Sequence, residues 1–302
     1  MRILKPALVI IGASTQLLPH TYCLEWYRKF RARYDFEDNE IPVRKDIQRR
    51  FEEAIDDLNL SHSLKIKKER IKLFNVHDIE VFHAGSLYTK SGGLVGIPAN
   101  FEYENINSIT DGTISIQYPA LNWDLEAIKE FHSSLVLSEN AQKFAIAREI
   151  LKVATLDPIY KFCNVLVDMT IAIAGYQLLY SKLNGTKQQK GIQVFCISII
   201  AIATLFFTAI THSALNMSRE REVNEIMSKL GSEYIQGGVE YYEKLSQKNK
   251  ALRVLLGKKG TYLYTPTGNQ TSLFGILTKL PTNSEQINYF QTRLQNISSQ
   301  LV

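Results

Sequence analysis

Ile192-Gln193-Val194-Phe195-Cys196-Ile197-Ser198-Ile199-Ile200-Ala201-Ile202-Ala203-Thr204-Leu205-Phe206-Phe207-Thr208-Ala209-Ile210-Thr211-His212-Ser213 is the stretch on which the fold turns. Its twenty-two positions hold no formally charged side chain. As a helix rising ~1.5 Å per residue it crosses the ~30 Å of hydrocarbon in a bilayer. Residues 162–181 repeat the pattern, broken only by Asp168, and a polar link carrying Lys182, Lys187 and Lys190 joins the two. The competing reading is a hairpin buried inside a soluble domain. The length of both arms and their near-absence of charge favour a transmembrane hairpin.

Working outward, the chain begins Met1-Arg2-Ile3-Leu4-Lys5 and then runs uncharged from Pro6 to Leu24. A basic start and an apolar middle resemble a signal peptide, but Glu25-Trp26-Tyr27 follows in place of small residues. Residues 1–24 therefore read as an uncleaved N-terminal anchor, with Arg28, Lys29, Arg31 and Arg33 as a basic flank. That flank suits lipid headgroups or a solvated helix face. Val43, Ile47, Phe51, Ile55 and Leu58 recur with a helical period. Short β-like runs follow at 71–76, 79–82, 94–97 and 113–118, with turn signals at Gly85 and Ser91-Gly92-Gly93. A helix begins at Leu125. Another begins behind Ser138, a good N-cap, and is expected to end at Pro158. Beyond the hairpin, Val223, Met227, Leu230 and Tyr234 share a stripe, and so do Ile287, Phe290, Leu294, Ile297 and Leu301.

Composition narrows the function. The chain has 302 residues, 45% apolar and 22% charged, with net charge +5. That excludes collagen-like and mainly disordered chains, and the scattered Lys and Arg form no nucleic-acid patch. Cys23, Cys163 and Cys196 lie in apolar stretches without a C-x-x-C pair and read as buried, reduced thiols. N-x-S/T matches stand at Asn59, Asn184, Asn216, Asn269 and Asn296, and matter only in the secretory pathway.

Three blocks carry a specific likeness. They are Gly93-Leu94-Val95-Gly96-Ile97-Pro98-Ala99-Asn100-Phe101; Leu137-Ser138-Glu139-Asn140-Ala141-Gln142-Lys143-Phe144-Ala145-Ile146-Ala147-Arg148-Glu149; and Gly237-Gly238-Val239-Glu240-Tyr241-Tyr242-Glu243-Lys244-Leu245, continued by Gly257-Lys258-Lys259-Gly260 and Tyr264-Thr265-Pro266-Thr267-Gly268-Asn269. In order and spacing around the hairpin the chain resembles the transmembrane protein 177 family from about residue 70 onward. The resemblance implies a multi-pass protein of the mitochondrial inner membrane. It also implies association with the assembly chaperone of cytochrome c oxidase subunit 2 and stabilisation of that new subunit. No cofactor is implied, and the partners are those two proteins and the lipid bilayer.

A fainter likeness is to membrane zinc proteases of the HtpX and Oma type, which carry H-E-x-x-H on one helix and S-R-x-x-E on a later one. Here Arg148-Glu149-Ile150-Leu151-Lys152 takes the first place, and Ser218-Arg219-Glu220-Arg221-Glu222 the second. Spacing i, i+4 puts positions 148 and 152 on one face, as two zinc ligands require. A guanidinium has no lone pair to give, and a lysine amine would first lose a proton of pKa ~10.4. Glu149 stands at the general-base position and Glu222 at the third-ligand position, with no metal to serve. The six histidines include no pair three or four apart. The expectation is therefore no enzyme activity; the alternative is an active membrane-embedded zinc metalloprotease. For the charges themselves two readings stand. Arg148 or Lys152 pairs with Glu149 or Glu222 as a clip in place of metal, or all are separately solvated.

Two further candidates remain. Asp168 in mid-membrane is expensive to bury, so it is a candidate contact for a partner helix or reaches the interface. Tyr241 and Tyr242 suit a docking surface or the core. The fold expected is an α-rich α+β membrane protein: anchor 1–24, mixed region 25–160 with the degenerate motif helix, hairpin 161–214, and helical region 215–302 packing back on 25–160. Together the flanks form a degenerate metalloprotease-like domain interrupted by the hairpin. Orientation stays open, because the basic hairpin link and the basic flank at Arg28–Arg33 lie on opposite sides of the bilayer.

Overall fold

The computed structural model describes residues 4–62, 64–109, 124–183, 190–271 and 280–300. In chain order the helices are α1 (Leu4–Leu17), α2 (Leu24–Arg31), α3 (Lys45–His62), α4 (Leu125–Leu135), α5 (Glu139–Val153), α6 (Asp157–Lys182), α7 (Lys190–Lys229), α8 (Ser232–Leu255), α9 (Gly257–Leu263) and α10 (Asn283–Gln300). Between α3 and α4 lie strands β1 (Ile71–Val76), β2 (Phe82–Ser86) and β3 (Gly92–Pro98). The expected run at 113–118 lies outside the described residues.

The hairpin forms as α6, 26 residues, and α7, 40 residues. Its apolar side chains are bare: Leu178 is 64% exposed, Ile202 68% and Leu205 73%. A soluble core helix hides such residues, and contiguous bare apolar area on this scale marks a surface meant for lipid. The reading of the hairpin as the core of a soluble domain therefore fails. α7 does not stop at the membrane boundary but continues unbroken for four more turns into the domain. The expected anchor is helical as α1, followed by a 3-10 turn at Leu18–His20. It lies along α6 rather than standing alone: Val9 and Ala13 are buried, and a Cβ on Gly12 would sit 2.5 Å from the Met169 sulfur. Small residues give helices in lipid this close approach. At 14 residues α1 is shorter than a full crossing.

The sheet is small, ordered β1-β3-β2, with β1 parallel and β2 antiparallel to β3. β2 starts at Phe82, later than the expected run at 79–82. One sheet face meets α5, where a Cβ on Gly93 would collide with Val153 at 1.9 Å. The other meets α2, through Leu24 and Tyr27 against Phe74 and Phe82. α5 begins at the Ser138 cap, whose hydroxyl accepts from the Ala141 N–H. It ends at Val153, and Pro158 sits in the first turn of α6, where its missing N–H costs nothing. Pro158 thus opens a helix instead of closing one. Because α3, α5, the end of α7, α8 and α10 share one core that includes Ile47, Phe144, Met227, Ile235 and Phe290, the portions on both sides of the hairpin fold together. Of the cysteines only Cys196 is buried, while Cys23 and Cys163 are exposed, contrary to expectation.

Candidate functional site: a buried charge cluster beside the membrane

α5 runs from the Ser138 cap toward the hairpin, and only residues 154–156 separate it from α6. The extension of α7 passes beside it. Where they meet, Arg148 Nη1 donates to Glu149 Oε1 at 2.6 Å, and Nη2 reaches Glu220 Oε2 at 2.8 Å. Lys152 Nζ lies 2.9 Å from Glu220 Oε1 and 3.4 Å from Glu149 Oε1. His83 on β2 closes the group with a hydrogen bond between Nδ1 and Glu149 Oε2. The Tyr242 ring lies 6.0 Å from the Arg148 guanidinium. Two cations face two carboxylates, and the charges balance without His83. Next to the cluster, Lys248, itself buried, pairs with Glu80.

Arg148, Glu149 and Lys152 are therefore brought together, as in the clip reading and not the solvated one, but the second acid is not Glu222. Glu222 points outward and pairs with Arg219 at 2.8 Å. The correction is a matter of helix phase. The buried stripe of α7 holds Val223, Asn224 and Met227. Counted back three and four positions, that stripe reaches Glu220, whereas Glu222 falls on the opposite face. The signal was present in the Val223–Met227–Leu230 spacing. His83 had no local signal, because a strand register brings it to Glu149 from 66 positions away.

Burial alone would raise the carboxyl pKa of Glu149, but the charges of Lys152, His83 and Arg148 outweigh it and hold it well below the usual carboxylate range. Burial likewise opposes ionisation of Glu220, seven residues beyond the apolar run. Arg148 and then Lys152 prevail and bring it to about 2 from an ordinary 4.5. Both folded values are depressed, so the stability these groups contribute is complete above the unfolded value. It is lost as pH falls through the folded ones. We expect the thermal midpoint of the detergent-solubilised protein to be flat around neutrality and to fall below pH 4.5, continuing toward about 2. Loss of stability on the alkaline side of neutrality would contradict this assignment.

The other two candidates land elsewhere. Asp168 is buried between the hairpin arms, where its Oδ2 accepts from Thr208 Oγ1 at 2.8 Å and Asn164 Nδ2 at 3.1 Å. Asn164 also donates to Thr211 at 2.8 Å. Asp168 therefore ties α6 to α7 and is not a free contact for a partner helix. Its partners are neutral, so Asp168→Asn keeps an acceptor and removes a charge that costs ~2.5 kcal/mol or more in hydrocarbon. We expect that variant to melt at or above the parent temperature in detergent. A fall of several degrees would show that the charge itself is needed. Tyr242 is a core residue and the half-buried Tyr241 packs against the same core: both rings lie on Phe144, at 5.8 and 5.9 Å between centroids. Burial raises both phenol pKa values, that of Tyr242 to about 12.

Among the described residues no group of three or more His, Cys, Asp or Glu side chains is placed to hold a metal ion. Two lipid-facing helices rooted in one α-rich domain by a charge-locked joint define a helical integral-membrane protein. More narrowly, the chain belongs to the transmembrane protein 177 family, whose profile matches residues 27–297. It is 28% identical to transmembrane protein 177 of Danio rerio over 88% of this chain and 86% of that one. It is 29% identical to the Homo sapiens protein of that name over 76% and 71% of the two chains. No solved structure matches it.

Proposed function

We propose that this chain works by binding rather than by catalysis, as an assembly factor in the mitochondrial inner membrane. In this reading it steadies newly made cytochrome c oxidase subunit 2 together with that subunit's assembly chaperone. Family membership supports the reading, as do two helices of membrane-crossing length. The observation that carries the non-catalytic half is the α5 face where a zinc protease would hold its histidines. That face presents Arg148 and Lys152, both already neutralised by Glu149 and Glu220. Cationic side chains engaged in this way neither ligate zinc nor leave Glu149 free to act as a base.

The test is affinity isolation of the tagged chain from mitochondria after pulse-labelling of mitochondrially made proteins. Labelled subunit 2 is expected in the eluate, and Glu149→Gln, if it folds, should still retain it. Stoichiometric zinc in the purified protein, with peptide hydrolysis lost in Glu149→Gln, would overturn the reading in favour of a protease. A glycan on Asn59 or Asn269 would overturn the location.

A further inference from the structure

We infer that the outer face of α2 is a membrane-surface contact, lying among the lipid headgroups of the same bilayer that the hairpin enters. α2 buries Leu24 and Arg28 against the sheet, and its opposite face is bare. Trp26 is 80% exposed and Phe30, one turn on, 79%, while Tyr22 in the turn before the helix is 89% exposed. Three large aromatic side chains left in water on one short helix and the turn before it have a cost that only a covering surface removes.

The occupant follows from where the face begins and what it carries. The 3-10 turn after α1 ends at His20, whose Nδ1 accepts from the Gly85 N–H, so the exit from α1 is fixed to β2. Two residues of chain, at most ~7 Å, separate His20 from Tyr22. The aromatic face is thus continuous with the lipid-covered surface of α1 and α6. Its chemistry is that of a headgroup layer: rings with a polar tip, beside a cation. Lys29 lies on the same side, is exposed, and enters no ion pair among the described residues, whereas Glu25 is taken up by Arg28 and Lys72. Arg31 and Arg33 of the same basic run are occupied by Asp78 and Glu102, which leaves Lys29 as the charge offered to lipid phosphate. Membrane contact here holds α2, and through it the sheet that carries His83, at a fixed height above the bilayer.

The chain has two tryptophans, Trp26 and Trp123. In Trp123→Phe, full length and reconstituted at one copy per lipid nanodisc, Trp26 is the sole reporter. Lipid brominated near the glycerol end of its acyl chains is expected to more than halve the emission. Aqueous acrylamide should quench it several-fold less than it quenches a free tryptophan peptide. Emission indifferent to brominated lipid overturns the proposal, whether acrylamide reaches the ring, as for a solvated face, or not, as for a face covered by protein. Trp123→Phe,Trp26→Phe supplies the blank, and an unchanged thermal midpoint for both variants confirms that each is folded.

Discussion

Arg148→Met is expected to cost about 3–5 kcal/mol of folding stability, the usual penalty for removing one partner of a buried charge pair. Spread over a domain of this size, that is a fall of roughly ten degrees or more in thermal midpoint. The reason is electrostatic rather than steric, since Met fills much of the same volume. Without the guanidinium, Glu149 and Glu220 share Lys152 and His83 alone. Glu149 has almost no access to water to make up the loss. Arg148→Lys should fall between parent and Met. It keeps a charge but not the fork that reaches two carboxylates from one side chain. Glu222→Ala is the control, because its exposed pair with Arg219 is worth at most ~1 kcal/mol. If Glu222→Ala were the damaging change and Glu220→Ala the neutral one, the cluster would be wrongly built.

The joint matters because α7 is a single unbroken helix from the hairpin link to Lys229. Whatever tilts the hairpin therefore turns Glu220 against α5. With α5 running almost directly into α6, the charge cluster sets the angle between the lipid-embedded and soluble parts. Ion pairs hold α5 and α7 together at this point.

Local patterns and non-local ones fared differently in the sequence. The hairpin was legible because hydrophobicity over twenty residues is a property of the segment itself. So were the Ser138 cap and strand β1, each decided within a few residues. The partner of Arg148 was not, because Glu220 and Glu222 differ only in the face of α7 they occupy, and that face is chosen by packing on α5. Pro158 was misread for a related reason: proline is equally at home just past one helix and in the first turn of the next. Tyr241 and Tyr242 suited a docking surface as well as the core, because local sequence does not say which face of α8 is covered. Its central position among α4, α5 and α10 is a tertiary fact. Asp168 was marked as costly, but its remedy, one neutral donor a turn back on α6 and another across the hairpin on α7, depends on which faces of α6 and α7 meet.

The double glycine of α8 has a physical purpose, and Phe144→Ala tests it. Phe144 is fully buried, edge-on to Phe290 at 5.2 Å, and its removal is expected to cost about 3–5 kcal/mol. Gly238 lies under that ring: a methyl there would come 2.8 Å from Phe144 Cε2 and 3.2 Å from Phe290 Cγ. Gly238→Ala gains ~1 kcal/mol of helix propensity yet overpacks the core, which typically costs ~1–3 kcal/mol. In the double variant the methyl enters space the ring has left. The two losses should therefore sum to less than their separate values by more than ~0.5 kcal/mol. Gly237 behaves differently, because its added methyl would lie 2.3 Å from the Asn140 carbonyl oxygen, in the first turn of α5. No side-chain truncation moves a backbone carbonyl, so Phe144→Ala should leave the cost of Gly237→Ala unchanged. Rescue at 238 and none at 237, read in parallel melts, would show that one glycine admits a ring and the other a helix. Equal rescue at both would mean that α8 slides freely over α5, and the close crossing that aligns Tyr242 with Arg148 would then not be fixed by these two residues.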